Sequence, residues 1–240
     1  MPRRTRIATP GVPLHLIQRG NNRGACFFAE EDYARYLEHL GELSEKFGCA
    51  VHAYVLMSNH VHLLLTPARA DSASLLMKHL GQRYVQYINR SYRRSGTLWE
   101  GRFRSCIAQA ENYVLACYRY IELNPVRARM VDHPREYRWS SYRANAEGVR
   151  SKVVVSQAQY LALGRSAEQR REAYRELFGS HLDFEIVREI REATNGNYAL
   201  GSERFRREVE VMIGRRVSRG NPGRPRSGNG GRGREFDASA

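Results

Sequence analysis

Two histidines stand two residues apart, His60 and His62, within the run Leu56, Met57, Ser58, Asn59, His60, Val61, His62, Leu63, Leu64, Leu65. A segment of this kind reads as a strand, where side chains alternate: His60, His62 and Leu64 share one face, and Val61, Leu63 and Leu65 take the other. Both imidazoles then point the same way. Neutral imidazole ligates divalent ions of the Mn to Zn range, so the pair can hold one ion if a third donor comes from elsewhere. Without that donor it is two half-exposed strand residues.

A third donor is on offer in the helical stretch Tyr118, Arg119, Tyr120, Ile121, Glu122, Leu123, Asn124, Pro125. Residues four apart lie on one helical face, which couples Tyr120 with Asn124 and Tyr118 with Glu122. Either couple sets a phenol nucleophile beside an oxygen ligand. A free phenol loses its proton only near pH 10, so it needs an ion or a base close by. The two tyrosines are about 200° apart around a helix, so one of them at most faces a given ion. Spacing alone leaves both couples open.

Charge suggests what such a site would act on. The chain of 240 residues has 39 Lys and Arg against 25 Asp and Glu, a net charge of +14, which suits a polyanionic partner and puts nucleic acid first. Arg outnumbers Lys, and Arg grips phosphates with two prongs and stacks on bases. Arg19, Gly20, Asn21, Asn22, Arg23 is a donor-rich loop, and Trp99, Glu100, Gly101, Arg102, Phe103, Arg104 interleaves aromatic and basic residues. The second composition suits base stacking beside phosphate contacts; a core Trp flanked by surface arginines is the plainer alternative. Arg127 adds a further cation after the tyrosine-bearing helix.

Other chemistry is disfavoured. Cys26, Cys49, Cys106 and Cys117 form no C-x-x-C pair, so no zinc knuckle or redox motif is offered, and they read as reduced core residues. No stretch approaches the roughly 18 apolar residues of a membrane span, and Met1 to Thr9 lacks the apolar run of a signal peptide. A cytoplasmic, nucleoid-associated protein with no membrane partner is expected.

The elements that must position these residues follow from periodicity. Leu14 to Gln18 reads as a strand that ends in the Arg19 to Arg23 loop. Glu30 to Phe47 reads as a helix with acids in its first turn, stopped by Gly48. Ala50 to Met57 and His60 to Thr66 make a tight hairpin across Ser58 and Asn59. Asp71 to Tyr92 is a second helix with Leu75, Leu76, Leu80, Tyr84, Tyr87 and Ile88 in its buried stripe, and Phe103 to Gln109 a fourth strand. The order is that of a ferredoxin-like βαββαβ unit, α+β, with an antiparallel sheet and helices on one face. A third helix runs from Glu111 until Pro125 disfavours helical geometry at Asn124.

Beyond it, Glu136 to Arg143, Gln157 to Phe178, Asp183 to Thr194 and Ser202 to Ile213 read as helical, with Ser202 a possible N-cap. From Gly214 to Arg234 the chain is rich in Arg and Gly without an acid, a composition that cannot build a core and suits a disordered, phosphate-tracking tail. The expected organisation is a catalytic domain over 1–135, a mostly α-helical extension over 136–213 and a flexible tail over 214–240.

The two motifs, Leu56 to Leu65 with its His-x-His and Tyr120, Ile121, Glu122, Leu123, Asn124, Pro125, Val126, Arg127, resemble those of the Y1 HUH transposases of the IS200/IS605 kind. Within these they look most like the REP-associated tyrosine transposases, over roughly residues 10 to 145. The resemblance implies the HUH fold, with His60, His62 and Asn124 as ligands of Mg²⁺ or Mn²⁺ and Tyr120 as nucleophile. Insertion-sequence relatives commonly carry Gln where this chain has Asn124; both are neutral amides, but the shorter side chain demands a closer helix.

It also implies the substrate and mechanism: REP-like palindromic single strands folded as hairpins, cleaved and rejoined through a 5′-phosphotyrosine intermediate, with Arg19, Asn21, Asn22, Arg23, Trp99, Arg102, Arg104 and Arg127 as DNA contacts. The long C-terminal extension favours a monomer over a dimer. A non-catalytic protein that binds palindromic single strands is the alternative reading. A histidine-triad nucleotide hydrolase would want His where Leu64 stands, and a structural zinc module would want cysteines near the pair.

Overall fold

In the computed structural model, which describes residues 5–219, the hairpin at the histidines is formed by β2 (Cys49–Met57) and β3 (His60–Pro67). Both pair in an antiparallel sheet that begins with β1 (Leu14–Arg19) and continues through β4 (Arg104–Ala108), in the order β2-β3-β1-β4. Val61, Leu63, Leu64 and Leu65 of β3 are all fully buried, because this central strand is covered on both faces.

On one face lie α1 (Glu30–Lys46) and α2 (Ser72–Ser91), the helices of the βαββαβ unit. Their Tyr36, Leu40, Leu43, Leu76, Leu80, Tyr84 and Ile88 pack with Leu14, Leu16, Leu63 and Leu65 in one core cluster. On the other face α3 (Ala110–Glu122) leads into a short turn of helix, α4 (Asn124–Arg127). The helical run thus resumes beyond its expected stop: Pro125 sits in the first turn of α4, where its missing N–H costs nothing.

The extension covers the rest of that second face. It contains α5 (Tyr142–Glu147), α6 (Ala158–Leu161), α7 (Ala167–Glu176) and α8 (Phe184–Gly196). A fifth strand, β5 (Ala199–Leu200), then pairs parallel with β4, and α9 (Glu203–Ile213) follows. Ser202 caps α9, its hydroxyl accepting from Phe205 N at 3.2 Å.

Two helices expected from periodicity take other forms. Glu136 to Arg143 runs largely as a strap along the edge strand β2: Leu56 N donates to the Trp139 carbonyl at 2.9 Å and the Tyr137 hydroxyl to the Leu56 carbonyl at 2.7 Å. Covering an exposed sheet edge outweighs local helical preference here. Gln157 to Phe178 divides into α6 and α7, because Ser166 opens a new helix with a capping box: its hydroxyl accepts from Gln169 N, and the Gln169 side chain accepts from Ser166 N, each at 3.1 Å. The Arg- and Gly-rich tail lies outside the described residues from position 220 onward.

The first face is tied together by a buried carboxylate that sequence periodicity does not reveal. Asp32, fully buried, accepts from the Phe28 and Ala29 amides at 2.8 and 3.0 Å and from the Tyr87 and Tyr92 hydroxyls at 3.0 and 2.8 Å. It therefore closes the start of α1 and clamps it to the end of α2. Asp32→Ala removes the acceptor for four donors and is expected to destabilise the fold by about 2–4 kcal/mol. Asp32→Asn, with one acceptor oxygen left, should fall between wild type and alanine in urea unfolding midpoint.

Candidate active site

Antiparallel pairing sets His60 opposite Arg19 and His62 opposite Ile17, while His15 is paired with Cys106 on β4. Cross-strand partners share a face, so His15, Arg19, His60, His62 and Cys106 all lie on the side covered by α3 and α8. There the sheet leaves a cavity of about 360 Å³ lined by His15, Ile17, Arg19, His60, His62, Tyr120, Asn124, Arg127, Ala128, Arg191, Thr194 and Asn195. Of the expected catalytic residues, His60, His62, Tyr120 and Asn124 come together here.

The imidazoles of His60 and His62 have centroids 5.1 Å apart and planes at 82°. With metal–nitrogen bonds of about 2.1 Å, two imidazoles on one ion at angles between octahedral and tetrahedral have centroids roughly 4.5 to 5.3 Å apart. The pair fits that geometry. His60 Nδ1 donates to Asn59 Oδ1 at 2.6 Å, and Asn59 Nδ2 donates to the Arg23 carbonyl at 3.1 Å. The tautomer of His60 is thereby assigned, with Nε2 left as its lone-pair nitrogen. His62 Nδ1 is engaged by His15 Nε2 at 2.9 Å.

Burial pushes His60 down to about 4, with Arg19 adding to the shift, and His15 down to about 3, with Arg127 adding to it. His62, fully enclosed, is also driven down, first by burial and then by His15. All three rings are neutral at neutral pH, the form that ligates. Among the described residues no group of three His, Cys, Asp or Glu forms a metal cluster. An ion held here would therefore have two imidazoles and the Asn124 amide, with further positions open, as a catalytic rather than a structural site requires.

Tyr120 packs edge-on against the His62 and His15 rings, with centroids 5.7 and 5.6 Å away. Arg127 lies over its ring, the guanidinium carbon 4.5 Å from the centroid, and donates from Nη2 to the Tyr120 carbonyl. Burial pulls Arg127 down to about 10, so it stays cationic at neutral pH. Its Nη1 is buried without a hydrogen-bond partner. Tyr118 and Glu122, the competing couple, face away from the cavity into the second core cluster: Tyr118 packs on Tyr160 and Tyr174, and Glu122 is sealed among Ser141, Asn145 and Tyr174.

The expected DNA contacts separate into three groups. Arg19 and Arg127 line the cavity. Arg102 and Arg104 join Arg19 along an adjoining cleft that also includes Glu100 and Asn195, and Arg104 Nη1 donates to Asn195 Oδ1 at 3.0 Å. Asn21, Asn22 and Arg23 form an exposed turn with positive φ at Asn22 and Arg23, held next to His60 through Asn59. Gly20 at its base is required by close approach: a Cβ there would sit 2.2 Å from the Gly24 carbonyl oxygen. Trp99 is not brought to the cavity. It is buried against Tyr36 and Tyr84 on the opposite face, which is the plainer of the two readings of its segment.

Sequence reasoning missed His15, Arg191, Thr194 and Asn195. His15 alternates with Leu14 and Leu16 and so shares a face with Arg19, a signal available once β1 is set beside β3. For Arg191, Thr194 and Asn195, on one face of α8, no sequence signal says where that helix docks.

The fold is thus a ferredoxin-like sheet that presents His60 and His62 toward the helix of Tyr120, the arrangement that the resemblance of the motifs leads one to expect. Residues 9–124 match the family model described as IS200-like transposase. Over that segment, just under half of the chain, the sequence is similar to that family. A solved structure of a REP-associated tyrosine transposase bound to a REP hairpin is similar with a TM-score of 0.54 and 16% identity, over 65% of this chain and 93% of that one; at this identity the likeness speaks for the fold. A putative transposase from Deinococcus radiodurans R1 matches at 21% identity with a TM-score of 0.36, over 48% of this chain and 91% of that one, too slight a likeness to argue from. No curated protein matches the chain in sequence. Among the described residues, no helix is long and apolar enough to cross a membrane.

Proposed function

We propose that this protein cleaves and rejoins single-stranded DNA, folded as REP-like hairpins, through a 5′-phosphotyrosine intermediate on Tyr120. The observation that carries the reading is the convergence of Tyr120, His60, His62, Asn124 and Arg127 on one cavity. His60, His62 and Asn124 would hold Mg²⁺ or Mn²⁺, which when bound polarises the scissile phosphate and orients it for in-line attack. The Tyr120 hydroxyl attacks phosphorus, a Tyr–O–P bond forms, the bond from phosphorus to O3′ breaks, and the released strand leaves with a free 3′-OH. Phosphodiester energy is kept for rejoining. The Arg127 guanidinium, over the Tyr120 ring in the cavity lining, adds positive charge where a phosphate would sit.

Arg19, Arg102 and Arg104 make a basic path out of the cavity along which a strand can run, and the turn at Asn21, Asn22 and Arg23 adds donors at its edge. That one structural relative holds a REP hairpin favours a hairpin as the ligand here. The C-terminal extension, whose α6 and α8 pack on the tyrosine-bearing helix α3, favours action as a monomer.

The test is incubation with labelled single-stranded hairpins and Mn²⁺, read as a protein–DNA adduct on a denaturing gel. The adduct should form, vanish with a chelator, and fall at least about a thousandfold in rate in His62→Ala, the loss of several kcal/mol expected when the ion is not held. Hairpin binding without any adduct would instead favour a non-catalytic binding protein.

A further inference from the structure

The helix α8 lies outside the family-matched segment, yet one of its side chains is wired to the histidine pair. Within α8 the Thr194 hydroxyl donates to the Ile190 carbonyl at 2.7 Å, a back-bond to the preceding turn. With its only proton used there, Thr194 Oγ1 is an acceptor toward everything else. His15 Nδ1, 2.9 Å away, must then be the donor. A neutral His15 with its proton on Nδ1 has a bare Nε2, which accepts from His62 Nδ1 at 2.9 Å. His62 in turn keeps its lone pair on Nε2. The Cys106 thiol, 3.2 Å from Thr194 Oγ1, supplies the second donor to that oxygen. His15, His62, Cys106 and Thr194 are all buried, so water does not compete for these bonds, and each polar atom of His15 and Thr194 has a partner.

The opposite polarity has a different consequence. Were Thr194 to donate into His15, the protons would shift along the chain and come to rest on His62 Nε2, the tautomer that cannot take an ion. We propose that Thr194 is a positioning residue that acts through His15 to fix His62 in its metal-ligating tautomer, which makes the C-terminal helix α8 a working part of the catalytic site. This rests on the reading of His60 and His62 as metal ligands. Thr194→Val removes the acceptor: His15 then either leaves its buried Nδ1–H unpaired or moves the proton to Nε2 and forces the wrong tautomer on His62.

The experiment is Mn²⁺ affinity, by calorimetry or electron paramagnetic resonance, on the full chain without DNA. Thr194→Val should bind about 10- to 100-fold more weakly, the usual cost of losing an outer partner of a ligating His, while Thr194→Ser, which keeps the hydroxyl, should stay within about twofold of wild type. Thr194→Val binding like wild type while His62→Ala loses the ion would overturn the relay. His62→Ala binding like wild type would overturn the metal site itself. A readout that needs no variant to fold is nitrogen-15 NMR of the metal-free imidazoles: protons on Nδ1 of both His15 and His62 are expected, and a proton on His62 Nε2 would refute the proposal.

Discussion

Tyr120→Phe is expected to abolish the covalent protein–DNA adduct and to lower strand cleavage by about 10⁴-fold or more, the scale on which nucleophile deletions act. The loss should be confined to chemistry. The phenylalanine ring keeps its packing against His15, His62 and Arg127, so thermal stability and hairpin affinity should stay close to wild type. Tyr118→Phe is the control that gives the experiment its force, since spacing alone allows either tyrosine. The Tyr118 ring is fully buried among Tyr160 and Tyr174, on the side of α3 away from the cavity, and its loss should leave adduct formation intact. An adduct that survives in Tyr120→Phe and is lost in Tyr118→Phe would refute the assignment of the nucleophile.

What could be read in advance divides along the range of the interactions. The βαββαβ order, the His60 and His62 face and the helical Tyr120–Asn124 couple are local, and periods of two and of nearly four residues carry them. Features set by distant partners were not legible. The strap at Trp139 takes its form from the edge of β2. The hydrogen bond from His15 to Thr194 joins residues far apart in the chain, and only the packing of α8 on β4 brings them together. Asn124 shows the boundary: its spacing from Tyr120 is a sequence fact, but the restart of the helix at α4 depends on where Pro125 falls in that turn.

Glu122 illustrates how burial can reverse a chemical guess. By spacing it is a hard-ion ligand for Tyr118; in the fold its oxygens accept from Ser141 Oγ at 2.5 Å, Asn145 Nδ2 at 2.8 Å and Tyr174 Oη at 2.7 Å in a site closed to solvent. It pins α3, the helix of Tyr120, to α5 and α7. Desolvation raises its carboxyl from the usual 4.5 to about 7, even though all three donors pull the other way. The folded chain therefore holds a proton that the unfolded chain releases between these two values. Stability from this group is complete below about pH 4.5 and is lost as pH climbs through 7, by on the order of 3 kcal/mol. Urea unfolding at pH 5, 6.5 and 8 should show wild type losing stability with rising pH against Glu122→Gln, which cannot ionise. Glu122→Ala, with three buried donors and no acceptor, should be weaker by about 3–5 kcal/mol at pH 5. Parallel pH profiles for wild type and Glu122→Gln would mean that the three donors, not desolvation, govern the carboxyl.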